Sequence, residues 1–111
     1  MKIVVVGATG AVGRTAVEAL SGRHEIISVG RTSGDVNMDI EDLDSIRRMY
    51  REVGNVDAVV SAVGHVHFGP VDEMTGSQVM ASIQGKVLPQ VNLVLEGLDY
   101  MNDHGSFTLT S

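Results

Sequence analysis

The chain has 111 residues, fewer than two average domains need and enough for one hydrophobic core. With 43% hydrophobic and 20% charged residues it lies outside the disordered range, and a net charge of -6 with no run of Lys or Arg argues against a nucleic-acid partner. The absence of cysteine excludes disulfides, thiolate nucleophiles and Cys-ligated metals.

Residues 3–6 (Ile3, Val4, Val5, Val6) are apolar on both faces, as in a parallel strand covered by helices on either side. The run is far too short to span a bilayer, and Gly7 cuts it too early for a secretory leader, so the expected location is cytoplasmic. Gly7, Gly10 and Gly13 follow, and Val12, Ala16, Val17 and Leu20 recur at helical spacing up to Ser21 and Gly22. Residues 25–29 form a second β-branched run, and 36–38 a short third. Leu43, Ile46, Arg47, Met49, Tyr50 and Val53 mark an amphipathic helix with Asp42 as N-cap and Gly54 as stop. Residues 57–61 predict a fourth strand, and a loop covers 64–70.

From about 72 to 102 the pattern is helical. Val79, Ile83, Val87, Val91, Leu95 and Leu98 form one stripe, and Met80, Leu88, Val94 and Met101 widen it beyond what one sheet face needs. Pro89 lacks the N–H that would reach the Gly85 carbonyl, so a kink is expected near Gln84 and Gly85. Gly105 then opens a fifth strand through Phe107, Thr108, Leu109 and Thr110. Strands alternating with helices predict an α/β fold, a Rossmann-type doubly wound parallel sheet of strand order 3-2-1-4-5 that stops after its fifth strand. Residues 1–111 are expected to form one nucleotide-binding domain, the first part of a longer one.

The loop Gly7-Ala8-Thr9-Gly10-Ala11-Val12-Gly13 follows a buried strand and opens a helix. One glycine permits the tight turn, the next lets the backbone approach a pyrophosphate, and the last permits close helix–strand packing. The helix N-terminus offers unpaired N–H groups and a partial positive charge. The plain alternative is a tight turn without a ligand. No Gly-Lys-Ser/Thr occurs, which excludes a P-loop. The second strand ends in Gly30-Arg31-Thr32-Ser33, with a guanidinium where an NAD site places an acidic residue. Arg31, beside the Thr32 hydroxyl, suits a ribose 2'-phosphate, so NADP is expected over NAD; a solvated surface arginine is the alternative. Arg14 could reach the phosphates or lie on the helix face.

These residues resemble the N-terminal half of the short-chain dehydrogenase/reductase family. The glycine loop has the GxxGxxG spacing of its extended and atypical members. With only seven residues between Arg31 and Asp39, where many members insert a helix, the chain is similar to a short, atypical branch, and the adenine side would be shallow and open. The resemblance implies that Asp39 contacts the adenine amino group, with the Ile40 N–H beside it; a capping carboxylate is the alternative for Asp39. Ser61, Ala62, Val63 and Gly64 fall on the family's Asn-Asn-Ala-Gly places, which run beside the cofactor ribose. Only the glycine is kept, so backbone contacts from Ala62, Val63 and Gly64 are implied, without the asparagine side chains.

The family transfers a hydride between nicotinamide and a carbonyl or alcohol. It uses a tyrosine whose pKa a lysine lowers, a serine that orients the carbonyl, and an asparagine that supports a proton relay. No Tyr-x-x-x-Lys occurs here: Tyr50 and Tyr100 are followed at the fourth place by Gly54 and His104. By ungapped counting the family's serine falls beside Ser111, and its asparagine on Gln84. The resemblance thus implies an NADP-dependent oxidoreductase as the longer parent, and a chain that is inactive by that mechanism alone. The second reading is a non-catalytic NADP-sensing protein. His65 and His67 could share a metal but have no evident third ligand, so no metal is expected. The expected partners are a small carbonyl or alcohol substrate and a second copy, in a dimer or tetramer joined through the long helix 72–102, with no membrane; the alternative for the excess apolar surface of that helix is packing on a C-terminal helix of the longer parent.

Overall fold

The unalternated run near the amino end becomes β1 (Lys2–Val6), the central strand, because both its faces are covered. The computed structural model describes residues 1–8, 10–62 and 71–110. Around β1 stand β2 (Glu25–Gly30) and β4 (Val56–Ser61), with β3 (Val36–Asn37) and β5 (Met101–Leu109) outside them. All neighbours pair in parallel, in the order β3-β2-β1-β4-β5, as expected from the alternation of elements. Val4 and Val6 pack with Val29, Val59, Met49, Tyr50 and Leu93, on the side of α2 (Leu43–Val53) and α4 (Leu88–Gly97). Ile3 and Val5 pack with Ala8, Val17 and Leu20, on the side of α1 (Ala11–Leu20). Each such aliphatic side chain removed from water contributes about 1.5–3 kcal/mol before entropy is charged against it.

The expected caps of α2 are present. The Asp42 side chain accepts from the Asp44 N–H at 3.1 Å, and Gly54 adopts φ 77° while its N–H bonds the Tyr50 carbonyl at 2.8 Å. The expected single helix over 72–102 is instead a broken series. It comprises α3 (Gly76–Ser82), a π turn (Ile83–Val87), α4 and a 3-10 turn (Leu98–Tyr100). Thr75 starts α3 with a capping box: its hydroxyl accepts from Gln78 N, and the Gln78 side chain accepts from Thr75 N. The π turn lies where Pro89 predicted a disturbance, and the Leu88 N–H reaches back five residues to the Ile83 carbonyl.

The fifth strand starts at Met101 rather than at Gly105. Val56 pairs with Met101 but Ala58 pairs with Ser106, so β5 bulges between them, and His104 takes φ 65°. Asp57 anchors the bulge. One of its oxygens accepts from Asn102 Nδ2 at 3.1 Å, and the other accepts from the Lys2 N–H at 2.8 Å. The Lys2 N–H and then Asn102 hold the Asp57 carboxyl below the usual carboxylate range. A folded-state pKa depressed in this way gives stability that is present above the ordinary value and is lost as pH falls through the folded one. Asp57→Asn, which sets an amide donor against these donors, is therefore expected to lower Tm at pH 7. The difference from wild type should close below about pH 4, as thermal melts across pH 7 to 3 would show.

The stripe of Val79, Ile83, Val87, Val91, Leu95 and Leu98 faces outward, each residue 40% to 58% exposed. The side of this segment that meets the core carries Gly85, Pro89, Gln90, Leu93 and Gly97. Among the described residues no helix is long and apolar enough to cross a membrane.

Candidate cofactor-binding site

The order 3-2-1-4-5 reverses direction at β1, and a crevice forms outside the carboxyl ends of β1 and β4 at such a point. The glycine loop leaves β1 there. Gly7 takes φ 83°, closed to ordinary side chains, and its N–H bonds the Val29 carbonyl of β2 at 2.8 Å. Ala62 ties the end of β4 to β1 through its N–H on the Val6 carbonyl at 2.9 Å. Three strand ends are thereby fixed around the turn.

α1 then begins without a side-chain cap. Gly10 is the N-cap residue, and the first turn holds no acidic side chain. Among the described residues no side chain caps the first N–H groups of α1, which stand at the positive end of the helix dipole. Among the described residues, a Cβ built on Gly10 would meet only the Gly7 carbonyl oxygen, at 3.5 Å, so these residues leave space above it. A Cβ on Gly13 would lie 1.9 Å from the Gly7 carbonyl oxygen and 2.9 Å from Ala8 Cα, so α1 packs directly on the turn. Gly7 makes the tight turn and Gly13 the close helix packing expected of them. Val12 is exposed on α1. Thr9 and the Ala11 side chain lie outside the described residues, as do Val63, Gly64, His65, His67 and Ser111.

On the other side of the turn, Arg31 and Thr32 line a cleft of about 560 Å³ together with Met38, Asp39, Asp42 and Ser45. The Arg31 side chain is 75% exposed, with its guanidinium 3.7 Å from the Asp39 carboxylate. Asp39 is held in place. Its N–H donates to the buried Ser45 hydroxyl at 2.8 Å, and its carboxylate accepts from the Glu41 N–H at 3.0 Å. The residue that caps α2 is Asp42 and not Asp39. Arg31 and Asp39, which sequence reading gave separate roles, are thus brought together, with Ile40 half-buried next in the chain.

Ser61 ends β4 fully buried, and its hydroxyl has no hydrogen-bond partner among the described residues. Gln84 sits in the π turn and is exposed. Sequence reading missed Gln90, a buried amide in the first turn of α4 whose Nε2 donates to the Thr110 carbonyl at 3.2 Å. A signal was available: Gln90 stands three residues before Leu93, on the same helical face. Tyr50 is a core group rather than an acid–base one, since it is fully buried with its hydroxyl on the Leu93 carbonyl.

A parallel sheet reversing at β1, with a glycine turn running into an uncapped helix, defines a Rossmann-type nucleotide-binding protein. Residues 3–87 match the NAD dependent epimerase/dehydratase family, and the chain belongs to it. A search of curated proteins gives no match. Among solved structures, the protein lin1944 from Listeria innocua is similar over 96% of this chain and 54% of its own, at 48% identity and TM-score 0.90. A small-chain dehydrogenase in complex with NADPH is similar over 100% of this chain and 50% of its own, at 25% identity and TM-score 0.85. The short-chain dehydrogenase/reductase from Serratia marcescens shares the fold at 18% identity and TM-score 0.76, over 96% of this chain and 55% of its own. The chain therefore spans about half the length of these structures.

Proposed function

We propose that the chain is the cofactor-binding part of an NADP(H)-dependent short-chain oxidoreductase. The observation that carries this reading is the turn from Gly7 to Gly13, which sets the start of α1 over space that the described residues leave open at the sheet's reversal point. The pyrophosphate lies on these amides. The ribose and nicotinamide follow the end of β4 past Ala62, Val63 and Gly64, and the adenosine end enters the cleft by Arg31, Thr32, Asp39 and Ile40. Arg31 favours NADP because it stands where an NAD site carries an acid, and the NADPH complex of a similar dehydrogenase supports a nicotinamide cofactor. When bound, the cofactor supplies a hydride to a carbonyl carbon or takes one from an alcohol, and a proton moves at the oxygen. The tyrosine–lysine pair that moves this proton in the family is not among these 111 residues, so turnover by that route needs residues beyond them.

Titration with NADPH and NADH tests the cofactor. Arg31→Ala is expected to weaken NADPH binding about 10–100-fold, the equivalent of one charged hydrogen-bonding partner, and to leave NADH binding nearly unchanged. Equal loss for both, or tighter NADH binding in the wild type, would end the NADP assignment. In a longer protein containing this chain, tight NADPH binding without carbonyl reduction would favour the sensing role.

The outward stripe supports a second element of the proposal, self-association through α3 and α4. Eight large hydrophobic residues on this segment, from Val79 to Leu98, are at least 40% exposed. Light scattering after size exclusion should report a dimer or tetramer that Leu95→Glu dissociates. A monomer at high concentration excludes it.

A further inference from the structure

We propose that Gln90 is a positioning residue for the carboxyl end of β5. Pro89 removes one helical hydrogen bond, and the segment answers with the π turn at Ile83–Val87. At this break Lys86 and Gln90, four residues apart, both reach the same residue of the sheet. Lys86 Nζ donates to the Thr110 hydroxyl at 3.4 Å, and Gln90 Nε2 donates to the Thr110 carbonyl at 3.2 Å. Thr110 is also held from the other side, where its N–H bonds the Ser61 carbonyl at 3.2 Å. Its backbone N–H, carbonyl and side chain are therefore all engaged one residue before Ser111.

Stability alone does not account for Gln90. The residue is 8% exposed, and its Oε1 is buried with no donor among the described residues. A buried acceptor left unmet costs free energy that a leucine or methionine of similar size would not incur. The other end of the amide fixes the direction of the Thr110 carbonyl. On the oxidoreductase reading above, this is the strand end that presents the substrate-orienting serine. Gln84, which counting places on the family's asparagine position, lies exposed, whereas Gln90 reaches the strand end.

The test is nuclear magnetic resonance on the nucleotide-free chain, so it stands or falls apart from the cofactor reading. In the wild type, a coupling across the hydrogen bond should connect Gln90 Nε2 to the Thr110 carbonyl carbon. In Gln90→Leu the Thr110 carbonyl resonance should move, and exchange of the Thr110 amide should quicken about three- to tenfold. The signals of Val59 and Tyr50 in the core should stay in place. An unmoved Thr110 carbonyl with only a lowered Tm would reduce Gln90 to a space-filling residue and overturn the proposal. If Gln90→Leu does not fold, the wild-type coupling decides: its detection supports the assignment, and its absence refutes it.

Discussion

Gly13→Ala is expected to lower Tm by about 10–15 °C and to weaken nucleotide binding at least about tenfold. The added methyl would sit 1.9 Å from the Gly7 carbonyl oxygen, 2.7 Å from its carbon and 2.9 Å from Ala8 Cα. All three are backbone atoms of the turn, so no rotamer change relieves the overlap. Either α1 lifts off β1, opening the contacts of Val17 and Leu20 with Ile3 and Val5, or Gly7 leaves its φ of 83° and breaks its bond to Val29. Overpacking of this kind costs about 1–3 kcal/mol, and more when backbone must move. Both outcomes re-aim the amides at the start of α1, so stability and affinity should fall together. A thermal melt and an NADPH titration on the same variant check the pairing. A variant as stable as wild type would mean that α1 sits further from the turn than described.

Gly97→Ala should be comparably damaging, with a loss of about 2–3 kcal/mol, and should leave nucleotide binding nearly unchanged in the fraction that folds. Its Cβ would lie 2.6 Å from Tyr50 Cζ and 3.0 Å from Phe107 Cε1. Tyr50 cannot swing aside. It is fully buried, its hydroxyl donates to the Leu93 carbonyl at 2.6 Å, and its ring stacks on Tyr100 at 5.4 Å. Burial, and then the charge of Glu96, push the Tyr50 phenol well above its ordinary pKa, so it stays a neutral donor in the native state. Tyr50→Phe removes that donor and makes room, so Gly97→Ala should cost less in the Tyr50→Phe background than alone. Urea melts of the four proteins in the cycle measure this coupling.

Much of this architecture was legible in the residues. Four unalternated apolar residues before a glycine loop placed a doubly covered central strand, and the two faces of β1 do fill two clusters. Asp42 and Gly54 bracketed α2 because each uses local chemistry: a carboxylate on a free amide, and a left-handed turn. Pro89 marked the broken helix for the same local reason. What escaped was decided across the sheet. Asn102, Asp103, His104 and Gly105 have low strand propensity, and the early start of β5 at Met101 shows only beside β4, where Met101 pairs with Val56 and Asp57 holds Asn102. The apolar stripe of α3 and α4 gave no sign of its direction. The face that meets the sheet carries, beside the apolar Pro89 and Leu93, the small or polar Gly85, Gln90 and Gly97, which let the helix come close. At the site, the glycines and Arg31 were readable as types, whereas the Arg31–Asp39 pairing and the grip of Gln90 on Thr110 needed three dimensions.

The bulge anchored by Asp57 has a consequence for solubility. An open sheet border is a template on which a stray chain can lay itself down. One border here is β3, only two residues long, which offers almost no template. Among the described residues the strand at the opposite side is β5, nine residues long, with its first half bent out of regular register and exposed Asp103 and His104 on the bend. Within the described residues, an incoming strand would find the β3 side too brief and the first half of β5 irregular and charged, a guard against sheet-to-sheet aggregation that the fold carries in its own hydrogen bonding.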